Sequence, residues 1–157
     1  MNPSRGAAPG FTLVEMLVVV GILSVLAMMV MPMAELAATR QKERELRHAL
    51  WQIREAIDAY KKAVDQGRIA RTTASGYPAS LAVLAEGAVQ QAGGSRIYFL
   101  RQIPRDPFAA QQLAAEQTWG LRAYASAADR PEPGDDVFDV HSRSGRTGLN
   151  GIALSRW

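Results

Sequence analysis

The sequence predicts an α+β fold: one long N-terminal helix, membrane-spanning in its first half and amphipathic in its second, packed on a small antiparallel sheet. Three observations carry this. An apolar run lies near the start of the chain, a helical apolar stripe follows it, and short alternating segments broken by Pro and Gly fill the remainder. A length of 157 residues suits one compact domain with one appendage. A TIM barrel or a two-domain dinucleotide enzyme needs more chain.

From Phe11 to Ala34 the sole charged residue is Glu15, and from Met16 onward only Gly21, Ser24 and Pro32 interrupt the apolar side chains. As a helix this stretch is about 36 Å long, enough to cross a hydrocarbon core of about 30 Å. A secretory h-region is shorter, about 7–15 residues, and ends in a small-residue cleavage site that this run lacks. The preceding MNPSRGAAPG is polar, contains Gly and Pro, and carries only Arg5 and the terminal amine as positive charge. Arg40, Lys42, Arg44 and Arg47 flank the other side of the span, so charge counting alone leaves its orientation open.

Beyond the span, Leu46, Leu50, Ile53, Ile57, Tyr60 and Val64 recur at helical spacing among Arg, Lys, Glu and Asp. Such a stripe needs a partner surface. Trp51 falls off it. No strong breaker lies between Pro32 and Gly67, which predicts one helix of roughly 55 residues, about 80 Å long, bent at Pro32 by the lost backbone donor and the ring's clash.

The remainder predicts the covering surface. A turn at Gly76-Tyr77-Pro78 leads to a short helix through Leu81 and Leu84 that ends near Gly87. RIYFLRQIPRDPF reads as a strand or extended piece stopped by Pro104 and Pro107. Thr118–Ser126 and Asp136–Ser142 read as two more strands, separated by the polar break ADRPEPGD. Too few to stand alone, these strands complete one core when laid on the stripe. The Gly-rich tail is irregular, with Ile152 and Trp157 available to pin it. The chain thus divides into a leader (1–10), a spanning helix (11–34), an amphipathic helix (35–66) and a small α+β head (67–157).

Composition excludes several chemistries. Without cysteine there is no disulfide, no thiolate metal site and no cysteine nucleophile. His48 and His141 are too far apart in sequence for a paired-imidazole metal motif. The net charge is +3, and the excess basicity sits in residues 40–71, where nine basic side chains are interleaved with five acidic ones, the pattern of a solvated helix face and not of a nucleic-acid stripe. The basic residues from Arg40 to Arg47 suit anionic headgroups or acidic patches on neighbouring molecules. Glu132, Asp135 and Asp136 read as an acidic surface turn, with no nucleophile placed beside them. No P-loop is present, and the sequence predicts a non-enzyme.

Glu15 is the most informative residue. A carboxylate in an apolar span costs a few kcal/mol and faces water or a protein partner. Lying near the start of the span, it either reaches water at headgroup level or is neutralised by another group. A cut between Gly10 and Phe11 would create an amine at similar depth. The chain's own amine is poorly placed to satisfy Glu15, whereas that of a copy shifted along the axis can lie alongside. Glu15 would then set the stagger between subunits.

GFTLVE followed by an unbroken apolar helix resembles the processing site of type IV pilin-like proteins, the class III signal read by prepilin peptidase. The resemblance implies a pilin-like fold, cleavage after Gly10, methylation of the Phe11 amine to N-methylphenylalanine, and Glu15 as the assembly residue. Pro32 matches the family's helix-bending proline. The resemblance also implies a single-pass inner-membrane precursor with a cytoplasmic leader and a periplasmic head. Within the family, YPASLAVL, IPRDPF and DDVFDVHSRS with the later GLNG are similar to segments of the major pseudopilin of type II secretion systems.

That likeness implies a subunit of a periplasmic filament that self-associates and works with other pseudopilins, prepilin peptidase, an inner-membrane secretion platform and an assembly ATPase. The alternatives are a type IV pilin of a surface fibre, a minor pseudopilin and an ordinary single-span membrane enzyme. Many type IV pilins close the C-terminal loop with a disulfide, which this chain cannot form. Major pseudopilins typically use calcium, for which Asp139 matches the family's strand aspartate and Asp135 or Asp136 could assist. Arg143 and Arg146 stand where acidic ligands would be expected. Pairing of Asp139 with an arginine, capping of a turn, or packing of the loop by Trp157 are the competing arrangements.

Overall fold

The computed structural model describes residues 11–157, so the leader with Gly10 lies outside the described residues. The side chains of residues 29–32 are outside them as well, and the bend expected at Pro32 falls there. The chain separates into two compact units, Met1–Thr39 and Arg40–Trp157.

Helix α1, Leu13–Asp65, contains 53 residues and unites the two predicted helical segments. Its end is a Schellman motif. Gly67, at φ +68°, supplies the left-handed residue; its N–H donates to the Val64 carbonyl at 2.9 Å, and the Arg68 N–H donates to the Ala63 carbonyl at 2.9 Å. In the first unit the described apolar side chains of α1 are exposed, from Leu13 through Met28.

In the second unit every member of the predicted stripe is buried: Leu46, Leu50, Ile53, Ile57, Tyr60 and Val64. Ala49, Ala56 and Ala63 join them, while Trp51 is 61% exposed. The covering surface comprises Ile69, Leu81, Leu84, Trp119, Val137, Val140 and Leu154. Helix α2, Ala82–Glu86, begins after Leu81 and closes at Gly87, whose φ is +80°. A Cβ at Gly87 would lie 2.9 Å from the Ile97 carbonyl oxygen, so both conformation and space favour glycine.

The expected sheet is two separate two-stranded sheets. Strand β1 (Ala88–Val89) pairs antiparallel with β2 (Arg96–Ile97), and β3 (Trp119–Arg122) pairs antiparallel with β4 (Asp139–Ser142). All are shorter than the alternating segments suggest, because other groups take the donors. The N–H groups of Phe99 and Leu100 both bond the Leu84 carbonyl, at 3.0 and 2.9 Å, which removes that segment from β2. Thr118 ends a 3-10 turn, Ala115–Thr118, so β3 starts at Trp119. After Arg122 the Ala123 N–H bonds Glu132, and before β4 the Val137 N–H bonds Pro78.

The tail is pinned by a different pair from the one expected. Ile152 is 48% exposed, whereas Leu154, at the start of the 3-10 turn Leu154–Arg156, is buried. Trp157 packs against the core as expected.

Ile53→Ala, at a fully buried position, should destabilise the head by about 2–5 kcal/mol, whereas Trp51→Ala should cost less than about 1 kcal/mol. Denaturant unfolding of the full chain in detergent, followed by near-UV circular dichroism, checks both.

Candidate functional site

The N-terminal candidate is built by the start of α1. Phe11 and Thr12 precede the helix, and the Thr12 hydroxyl accepts the Glu15 backbone N–H at 3.2 Å. Thr12 is therefore the N-cap and Glu15 lies in the first turn. Thr-Leu-Val-Glu also has the S/T-x-x-E spacing of a capping box, a local signal that the sequence reading missed. Beside the free N–H groups and positive dipole end of the helix, a carboxylate is stabilised.

Phe11 and Glu15 are both exposed, and the apolar side chains after them have no cover within the chain. The helix is long and apolar enough to cross a membrane, and none of its most apolar window is buried. Gly10, the other half of the expected cleavage junction, lies outside the described residues.

The second candidate lies in the head around Asp139, on β4. Its Oδ1 accepts from Arg54 Nε at 2.8 Å and from the Val140 N–H at 2.8 Å; its Oδ2 accepts from Arg122 Nη2 at 3.4 Å. Arg54, from α1, also donates through Nη2 to the backbone oxygens of Val140 at 3.1 Å and Trp157 at 2.7 Å. Sequence reading left open an arginine partner for Asp139 but did not identify it. Arg54 lies one helical turn beyond the stripe member Leu50, where a charged residue reads as solvated surface.

The other predicted calcium ligands are elsewhere or engaged. Asp136 is buried; its Oδ1 accepts the Tyr124 N–H at 2.8 Å and its Oδ2 accepts from the Ser75 hydroxyl. Asp135 is exposed. Calcium takes six to eight oxygens, several of them carboxylate. Among the described residues no group of three or more His, Cys, Asp or Glu side chains could hold a metal. With two guanidiniums already on Asp139, the residues present do not fit a calcium ion.

Asp106, within IPRDPF, is a further carboxylate turned inward. It accepts from the Ser142 hydroxyl at 2.5 Å and from the Phe108 N–H at 2.7 Å. The Ser142 bond joins the Pro104–Phe108 segment to β4, and the Trp119 indole N–H of β3 adds a bond to the Pro104 carbonyl at 2.8 Å. Asp106, Asp136 and Asp139 thus serve as structural acceptors for particular N–H and O–H groups.

Residues 7–31 match the prokaryotic N-terminal methylation motif, a type IV pilin-like signal. The match takes in the Gly10-Phe11 junction, Glu15 and most of the apolar run, leaving the head outside it. The long helix with small antiparallel sheets is consistent with a pilin-like fold. No curated protein and no solved structure matches the chain.

His141, on β4, lies against Gly120 of β3, where an added Cβ would overlap the imidazole. Burial holds its pKa below the usual 6.5; Asp139 opposes this, and Arg143, Arg122 and Arg54 reinforce it. As pH falls below 6.5, the unfolded chain therefore takes up a proton before the folded one does, and the head loses stability until the folded His141 protonates. His141→Asn should flatten the dependence of denaturation midpoint on pH below 6.5, measured on the full chain in detergent.

Proposed function

We propose that the chain is a non-enzymatic pilin-like structural subunit, cut after Gly10, methylated on the Phe11 amine and assembled by self-association into a helical filament. The observation carrying this reading is the methylation motif over residues 7–31, with Glu15 five residues beyond the junction on an exposed apolar helix. An intramembrane carboxylate is costly, by about 2.5–3.5 kcal/mol on insertion scales at the centre of a span and less toward its ends. The amine of an axially shifted neighbour would neutralise it. The surface that leaves lipid would be reburied against other helices, so helix–helix packing takes the place of packing against acyl chains.

More specifically, the subunit belongs in the periplasmic filament of a type II protein secretion system, as a pseudopilin. Prepilin peptidase processes it, and other pseudopilins and the inner-membrane platform are its partners. The absence of cysteine and the YPASLAVL, IPRDPF and GLNG segments support this assignment.

Mass spectrometry of the membrane-extracted protein should find a chain starting at methylated Phe11; a leader retained in full would overturn the proposal. Glu15→Leu should be inserted and cut normally yet form filaments at least about tenfold less abundantly, the effect of losing about 1.4 kcal/mol of pairing. Electron microscopy of sheared filaments checks the yield. Retention of exoproteins in the periplasm of a deletion strain, with surface motility intact, would distinguish secretion from a surface fibre.

A further inference from the structure

We propose that the Arg54 guanidinium does in this head what a bound calcium ion would otherwise do, making attachment of the C-terminal segment to α1 a built-in property of the chain. A calcium cross-link works by gathering carboxylate and backbone carbonyl oxygens from separate parts of a chain around one positive centre. Arg54 gathers that kind of donor set: Asp139 Oδ1 at 2.8 Å, the Val140 carbonyl at 3.1 Å and the Trp157 backbone oxygen at 2.7 Å. These acceptors lie 85, 86 and 103 residues along the chain from it. One side chain therefore ties α1, β4 and the segment after Leu154 together. Arg122 of β3 adds a second cation to Asp139 Oδ2 at 3.4 Å.

The arrangement is exclusive as well as sufficient. A divalent ion at Asp139 would meet two guanidiniums within bonding distance of the same carboxylate, where like charges repel strongly in a partly desolvated setting. The planar fork of arginine fixes directions that a lysine ammonium does not.

The same stretch of α1 supplies two more attachments. Glu43, buried, accepts the Leu149 N–H at 2.6 Å, and the Arg47 guanidinium stacks 4.3 Å from the centre of the Trp157 ring. Glu43, Arg47, Leu50 and Arg54 are spaced 4, 3 and 4, so one helix face carries the whole series. Attachment by covalently built-in cations does not depend on the free concentration of any ion, unlike stabilisation by a ligand. The inference concerns the head alone and holds whether or not the N-terminus is processed.

The test uses the full chain in detergent micelles, with melting followed by tryptophan fluorescence and trimming of the C-terminal segment followed by limited proteolysis. Wild type should melt at the same temperature in EGTA and in millimolar calcium chloride. Arg54→Met should lower the midpoint by on the order of 5 °C and expose the C-terminal segment to protease. Arg54→Lys should recover only part of the loss. Adding Asp139→Asn to Arg54→Met should shift the midpoint little further, because the two residues share one interaction. A wild-type midpoint raised by calcium by on the order of 5 °C or more would overturn the proposal, as would an Arg54→Met protein with unchanged midpoint and protease resistance. The calcium comparison on wild type decides the matter even where the variants fail to fold.

Discussion

The head depends on the desolvation of one helix face. Leu46, Leu50, Ile53, Ile57, Tyr60 and Val64 present a continuous apolar surface, and the remaining pieces of the head are arranged to exclude water from it. Strands of two and four residues have no capacity to form an independent core. Their order derives from α1: Trp119 and Val140 come from paired strands, and Leu84 from a five-residue helix too short to persist in isolation.

A fold with so little regular strand must satisfy its backbone by other means. Side-chain carboxylates take up the task, with Asp106 receiving the Phe108 N–H, Asp136 the Tyr124 N–H and Glu43 the Leu149 N–H. Each acceptor is buried, so its hydrogen bonds are made in a poorly screened setting where an unmet partner is expensive. Irregular loops become determinate because few alternative placements satisfy all three carboxylates together. The apolar stripe supplies the driving force, and these polar ties select the loop conformation.

The long helix and its stripe were legible because 3.6-residue periodicity is a local property, repeated over many turns and interrupted by nothing until Gly67. The short helix after Leu81 was legible from its punctuation, the Gly76-Tyr77-Pro78 turn before it and Gly87 after it. The strands were legible only as locations. Their lengths depend on where backbone donors find acceptors, and the diversion of the Phe99 and Leu100 N–H groups to Leu84 leaves no trace in an alternating pattern. Ile152 and Leu154 are equally apolar to a reader of sequence; a single 3-10 turn decides which faces inward. At the N-terminus the exposed apolar helix and lone Glu15 were plain from composition. Arg54 was not, because its partners are remote in sequence and its own neighbourhood looks like ordinary solvated helix.

The position of the Thr12 cap bears on how a peptidase could reach the chain. Because α1 begins at Leu13, Phe11 and Thr12 are not wound into it, and the carboxyl side of the proposed scissile bond is presented in a non-helical conformation. An enzyme acting there has no helical turn to unravel on that side before seating the backbone in its cleft. The hydroxyl that caps the rod thereby also marks how close to the apolar helix a cut could come without disturbing it.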